Sequence, residues 1–373
     1  MAGQSLGIRF LAYKMVEIKE MSEEVNRIHG CLAGGAIGDS LGLPYEGMSR
    51  TRAQRLLGSP NANRLLFGYG MVSDDTEHAC MTAIALIRSE GELNKFELEL
   101  ASQLRKWFLC LPPAIGLATA KACIKLLIGF KPELAGAKSA GNGPAMRSAI
   151  IGCSVKNIRT LKSLIKISSR ITHADVRSFE GAFLIALGTN WAQYNSTKNP
   201  LDFFNFVEKS GGIPSDPEFQ SKFQGLRDSI LASEETSSFA AGIGMQKGIS
   251  GFIIPTTLVA LHAWLTNFEE FDKTITKCIL CGGDTDTVAA IGGSLSGTYL
   301  GFNSIPKRLG KTIIDYPFAY NRLSKLARLL ANKEVGNSYP KWIGLRWLIL
   351  PFRNIALVII ILMHVLRRAA PPY

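Results

Sequence analysis

Two short acidic clusters constrain this chain more than any other feature of its sequence. Gly282-Gly283-Asp284-Thr285-Asp286-Thr287 packs two carboxylates and two hydroxyls into four residues, just ahead of a run of small residues. Ser73-Asp74-Asp75-Thr76-Glu77 repeats that chemistry roughly two hundred residues earlier. Each cluster opens an apolar segment. A lone Asp, Ser or Thr in such a place is a common helix N-cap, because one side-chain oxygen satisfies a free backbone N–H. A cap needs only that one oxygen. Asp74, Asp75, Asp284 and Asp286 with their hydroxyl neighbours supply several more. Carboxylates this dense repel one another unless a cation lies among them. The two clusters are therefore expected at one bimetallic site, closed from both ends of a domain. Oxygen ligands suit hard divalent cations, so magnesium or manganese fits better than zinc.

Helical spacing dominates the rest. Apolar residues recur at helical intervals in Glu77–Ser89, Phe96–Leu109, Thr119–Ile128, Ser178–Gln193, Ile254–Asn267 and Val288–Leu300. Pro112-Pro113 and Gly129 supply stop signals. Convincing alternation of the strand type is absent from the pattern. The fold class is all-α, a compact multi-helix domain with a central bimetallic cleft. Glycines and alanines within Cys31–Gly42 and Ala289–Gly297 would weaken isolated helices. Their use is close helix–helix approach around a shared centre. The pattern divides into an N-terminal extension (1–22), one main domain (23–335) and a basic, apolar tail (336–373). The polar stretch Asn195–Ser238 reads as an excursion on the surface of that domain.

Charge and cysteine usage narrow the function classes. Of the net charge of +12, residues 333–373 carry +5, from six Lys/Arg against one Glu. With no zinc-finger pattern or Arg-rich block, specific nucleic-acid binding is not expected. A mildly basic body suits a phosphate-bearing ligand. The seven cysteines are scattered through apolar runs and read as small buried thiols of a reducing compartment. Cys278-x-x-Cys281 has no second Cys/His pair, so zinc binding is not expected there. No secretory signal is evident, and the expected location is the cytoplasm, or peripherally the inner membrane surface. In the tail, Ile355–Leu366 is nearly continuous apolar sequence but spans only about 18 Å as a helix. Extending it back brings Arg346 and Arg353 into any span, at a cost of about 2.5–3.5 kcal/mol for each central arginine. Two roles remain: docking on the body or a partner, and peripheral contact with a membrane surface.

Five ordered motifs resemble the ADP-ribosylglycohydrolase family, which includes the dinitrogenase reductase-activating glycohydrolases. Gly30-Cys-Leu-Ala-Gly-Gly-Ala-Ile-Gly-Asp39, followed by Pro44-Tyr45-Glu46, resembles its opening helix. The two acidic clusters resemble its metal motifs. Gly141-Asn-Gly-Pro-Ala-Met-Arg147 is similar to its Gly-Asn-Gly loop, and Thr172-His173 to its Thr-His motif. The likeness spans roughly residues 28–305. It implies an all-α hydrolase with two Mg2+ or Mn2+ ions. The matching ligands are Ser73, Asp74 and Asp75 on one side and Asp284, Asp286 and Thr287 on the other. It further implies catalytic roles for Glu46 and Asp75. Gly141, Asn142, Gly143, Met146 and His173 would contact the substrate, with the pyrophosphate on the glycine loop. Arg147 would contact phosphate or tie the loop. One departure stands out. Ala114 occupies a position before Ile115-Gly-Leu-Ala-Thr119 where the family commonly has an acid, and this weakens the case for an arginine-linked substrate.

The implied reaction cleaves the bond between the distal ribose of ADP-ribose and an acceptor, releasing ADP-ribose. The substrate would be an ADP-ribosylated protein or a small ADP-ribose adduct. Competing readings are a non-catalytic binder of ADP-ribose or a related nucleotide, and a metal-dependent phosphohydrolase. Because all the implied ligands precede residue 288, the tail is expected to be dispensable for catalysis.

Overall fold

In the computed structural model of this protein, residues 21–195, 199–315, 320–332 and 341–369 are described. Most of the predicted N-terminal extension lies outside them. The architecture is helical, and among the described residues β-pairing is limited to isolated bridges.

Glycine spacing organises the centre. Helix α1 (Glu23–Gly42) carries Gly30, Gly34, Gly38 and Gly42 at every fourth position, which puts them on one face. A β-carbon on each would lie 2.0 Å from Gly297 O, 2.2 Å from Gly293 O, 1.9 Å from Ala289 O and 2.5 Å from Thr285 O, in that order. The contact numbers fall as those of α1 rise, so the partner helix runs antiparallel, backbone against backbone. The entropy cost of glycine in a helix is accepted here because no side chain fits the space. This contact aligns the end of α1 with the start of its partner, at the second acidic cluster. Thr285 fixes that junction by donating its hydroxyl to Gly42 O at 2.9 Å.

Further helices surround this pair. They are α2 (Asp74–Ser89), α3 (Leu93–Leu109), α4 (Leu117–Leu127), α5 (Ile158–Thr172), α6 (Val176–Tyr194), α7 (Ile253–Thr266), α8 (Phe271–Leu280), the partner of α1 itself, α9 (Thr285–Leu300), α10 (Leu323–Asn332) and α11 (Lys341–Ala369). Several start upstream of the sequence expectation. Both α2 and α9 include their acidic clusters in the first turn, because Ser73 and Asp284 take the N-cap positions and acids there face the positive end of the helix dipole.

One expectation changes, and one choice left open is narrowed. Asn195–Ser238 is more than a surface excursion. Its helices send Phe203, Phe219, Phe223 and Leu226 into the core, and Phe203 meets Trp191 and Trp264 edge-on. In the tail, residues 341–369 form one long helix. By length and composition Trp347–Leu366 could cross a membrane. In this fold, however, its inner face docks on the body, with Leu350, Arg353, Asn354 and Leu357 buried. Leu348, Phe352, Ile359 and Leu362 on its other face are exposed.

Gly38→Ala should lower unfolding free energy by at least about 2 kcal/mol, since its methyl meets immovable backbone of α9. Gly225→Ala, where an added Cβ meets nothing within 4 Å, should be neutral or stabilising. Denaturant titration of both variants checks the contrast, and equal costs would contradict it.

Candidate metal centre and substrate cleft

Asp39, in the last turn of α1, is fully buried and organises the first acidic cluster. Its carboxylate accepts from Ser73 N at 2.9 and 3.0 Å, from Thr76 N at 3.2 Å and from Thr76 Oγ1 at 2.5 Å. The start of α2 is thus held against the end of α1. The second cluster reaches the same place through α9. Thr287 Oγ1 donates to Asp75 Oδ2 at 3.1 Å, joining the clusters directly, and Ser73 Oγ donates to the same oxygen at 3.1 Å. One carboxylate oxygen from each of Asp39, Asp75 and Asp286 lies within 4.8 Å of the others. Asp74 and Asp284 line the adjoining cleft with Ser73, Asp286 and Thr287.

Backbone conformation positions Asp284. Gly282 and Gly283 both adopt positive φ, 75° and 78°, where side chains are disfavoured. They thread between two segments. Gly283 N donates to Met48 O at 2.9 Å and Gly47 N donates to Gly283 O at 2.8 Å, while Asp284 N donates to Ile249 O at 2.9 Å. The same crossing pins the loop that carries Glu46, which is half-buried and lines the cleft.

The glycine loop joins from the opposite side. Asn142 Nδ2 donates to Asp284 Oδ2 at 2.6 Å and to Thr256 Oγ1 at 3.1 Å. The His173 ring packs against the loop so closely that a Cβ on Gly143 would lie 2.8 Å from Cε1. Arg147, which was open between phosphate contact and loop tie, is the tie. It is fully buried, donates to Gly143 O at 3.2 Å, Ser168 O at 2.8 Å and Thr172 Oγ1 at 2.6 Å, and lies 3.2 Å from His78 Nδ1. The cleft measures about 540 Å3 and is lined by Glu46, Asp74, Asn142, Met146, His173 and Asp286, among others. Apart from Arg147, the site residues named from the sequence line this cleft, except Asp75, whose carboxylate groups with Asp39 and Asp286.

The electrostatics follow from burial. Asp74, Asp75 and Asp286 are pushed well above the usual carboxylate range, first by burial and then by neighbouring carboxylates. Burial raises Asp39 to about 6, against the pull of its hydrogen bonds. His173 falls to about 3 through burial and the nearby Arg147, so it is neutral at physiological pH. Asp75 Oδ1 is buried with no hydrogen-bond partner among the described residues. An orphaned carboxylate oxygen amid mutually repelling acids fits a hard cation, and the donors are all oxygens.

Sequence reasoning missed several contributors. Asp39 stood in the opening motif without an assigned role; the signal was a lone acid in a run of small residues. Glu77 does not line the cleft; its carboxylate accepts from Trp107 Nε1. The tail, expected to be dispensable for catalysis because it carries no implied ligand, reaches the site. Arg353 of α11 donates to Glu77 Oε1 at 2.7 Å, and Leu357 and Ile361 line the cleft. Arg353 pairs with groups far away in sequence, which no local pattern reports. The Cys278-x-x-Cys281 pair is buried as free thiols.

Comparison with known proteins agrees with this geometry. The sequence model of a family described as ADP-ribosylglycohydrolase matches residues 21–339. A Gallus gallus protein named ADP-ribosylhydrolase ARH3 is 26% identical over 328 residues, covering 75% of this chain and 87% of that protein. Its Xenopus tropicalis namesake is 28% identical over 351 residues, covering 84% and 98%. A solved structure titled ADP-ribosylglycohydrolase-related protein complex shares the fold, with TM-score 0.63 and 22% identity over 84% of this chain and 99% of that one.

A pH dependence follows for the metal-free protein. Folded carboxylates with raised values retain protons that the unfolded chain releases from about pH 4. The carboxylates' contribution to stability should therefore fall as pH rises above about 4, while buried His29, His78, His173 and His262, whose values are lowered, contribute with the opposite sign below about pH 6.5. Mn2+ isolates the carboxylates: it should raise the melting temperature of chelated protein more at pH 8 than at pH 5, because protons compete with it at the lower pH. An equal Mn2+ shift at both pH values would contradict the electrostatic account.

Proposed function

The chain belongs to the ADP-ribosylglycohydrolase family, and from that premise we propose that it hydrolyses the glycosidic bond between the distal ribose of ADP-ribose and an acceptor, releasing free ADP-ribose. The substrate is an ADP-ribosylated protein or a small ADP-ribose adduct, and the cofactors are two Mg2+ or Mn2+ ions. One observation carries the reading: two acidic motifs 212 residues apart meet through the Thr287–Asp75 hydrogen bond, in a cleft whose other wall is a glycine loop.

Ser73, Asp74, Asp75, Asp284, Asp286 and Thr287 would hold the ions. Bound there, divalent ions supply positive charge that orients ribose hydroxyls and acidifies a water. The protein does the rest. Gly141 and Gly143 let the backbone approach a pyrophosphate without side-chain hindrance. Asn142 is kept from turning by Asp284 and Thr256. Neutral His173 presents an uncharged imidazole beside the loop. Asp75 Oδ2 accepts from Ser73 and Thr287, and its buried Oδ1 would face a cation, so Glu46 is the better acceptor for a proton from the attacking water. No covalent nucleophile is required, and the two-carboxylate glycosidase scheme need not apply. Ala114 also lines the cleft and brings no carboxylate. An uncharged acceptor is therefore favoured over a guanidinium.

Defined ADP-ribosyl conjugates, incubated with Mg2+ and with Mn2+, test the proposal by release of ADP-ribose. Asp286→Ala should lose more than the roughly 100-fold typical of outer-sphere ligand changes, with helical content retained. Phosphate release in place of ADP-ribose, or tight binding of ADP-ribose without turnover of any conjugate, would contradict it.

A further inference from the structure

The family match ends at residue 339, and α11 begins at Lys341. This helix nevertheless enters the core of the site. Arg353 is 8% exposed and binds on three sides. Its Nη1 donates to Glu77 Oε1 at 2.7 Å, its Nε donates to Asp315 Oδ1 at 3.1 Å, and its Nη2 donates to Asp315 Oδ2 and to Val72 O. Asp315 Oδ2 in turn accepts from Val72 N at 2.9 Å. Val72 immediately precedes Ser73, and Glu77 lies two residues beyond Asp75. Arg353 and Asp315 thus grip the first acidic motif from both of its ends. Next along the helix, Asn354 Nδ2 donates to Cys110 O at 2.8 Å, which fixes the helix rotation about this point. One turn further, Leu357 is 1% exposed and packs with Leu43, Leu65 and Met71. Leu43 opens the short helical turn that delivers Glu46. Leu357 and Ile361 then reach the cleft itself.

We propose that α11 is a working part of the active site. Arg353 is a positioning residue that holds Ser73-Asp74-Asp75 in place through Val72 and Glu77. Leu357 and Ile361 form an apolar, uncharged wall that selects the part of the substrate resting against it. The inference rests on the proposed hydrolase reading for the identity of that substrate. The physical case is independent of it. A buried guanidinium with a planar fork satisfies a carboxylate bidentately and a carbonyl at once, which a lysine ammonium at the same place does not. An apolar surface facing a cleft lined on its other side by carboxylates disfavours a charged group placed against it, because such a group would lose water without gaining a partner.

The test uses the full chain with two variants. Arg353→Lys keeps the charge and removes the fork. Ile361→Glu alters the wall at a partly exposed position, so the fold is retained. Mn2+ titrated calorimetrically reads the first without any turnover, and hydrogen exchange of residues 71–77 in metal-free protein reads it again. Arg353→Lys should weaken Mn2+ at least fivefold and speed exchange in that segment. Ile361→Glu should raise KM for an ADP-ribosyl conjugate at least fivefold, with kcat within twofold and an unchanged melting temperature. A merely structural arginine would lower the melting temperature and leave both Mn2+ affinity and local exchange as in wild type, which would overturn the positioning role. An unchanged KM in Ile361→Glu would overturn the wall. Should wild type bind Mn2+ yet hydrolyse no conjugate, the reaction proposed above fails, while the Mn2+ and exchange measurements still decide the role of Arg353.

Discussion

Backbone touching backbone between α1 and α9 is the constraint on which the remaining structure depends. Four glycines at every fourth position bring the two helices closer than any side chain allows. That contact fixes their antiparallel register, and register decides which residues meet at the end. Asp39 near the C-terminus of α1 arrives beside Thr285, Asp286 and Thr287 at the N-terminus of α9. The hydrogen bonds from Asp39 then fasten the start of α2. A single shift in this register would part the acids that the two motifs contribute.

The arrangement carries an electrostatic cost that helix dipoles offset only in part. Buried carboxylates at close quarters favour protonation, as the raised values of Asp74, Asp75 and Asp286 show. A fold that gathers them without a cation would gain more from apolar residues of like size. The orphaned oxygen of Asp75 points the same way. A cation bound there would stabilise the cleft as well as serve its chemistry, since it would turn mutual repulsion among the carboxylates into attraction.

How much of this was legible in the sequence follows from the range of each interaction. The acidic motifs, the glycine loop and Thr172-His173 are local strings, so their residues were identifiable, and helical periodicity gave the all-α class. The small residues of α1 and α9 signalled close approach, but not that each was the other's partner. Asp39 was legible only as a lone acid in a run of small residues. Phe203, Phe219 and Phe223 lay in a polar stretch whose composition hid their burial. Arg353 read as an obstacle to a membrane span. Its meaning, and that of Asn354 beside it, lies in Glu77, Asp315 and Cys110, contacts across the whole chain that no window of sequence contains.

Anomalous diffraction from crystals grown with Mn2+ decides whether the two motifs close around divalent cations at the junction of α1, α2 and α9. Closure around the ions gives anomalous density within about 2.2 Å of carboxylate oxygens from both Asp75 and Asp286, with the Gly282–Gly283 crossing unchanged. Mn2+ density confined to other parts of the molecule, with Asp75 and Asp286 remaining linked only through Thr287, would contradict it.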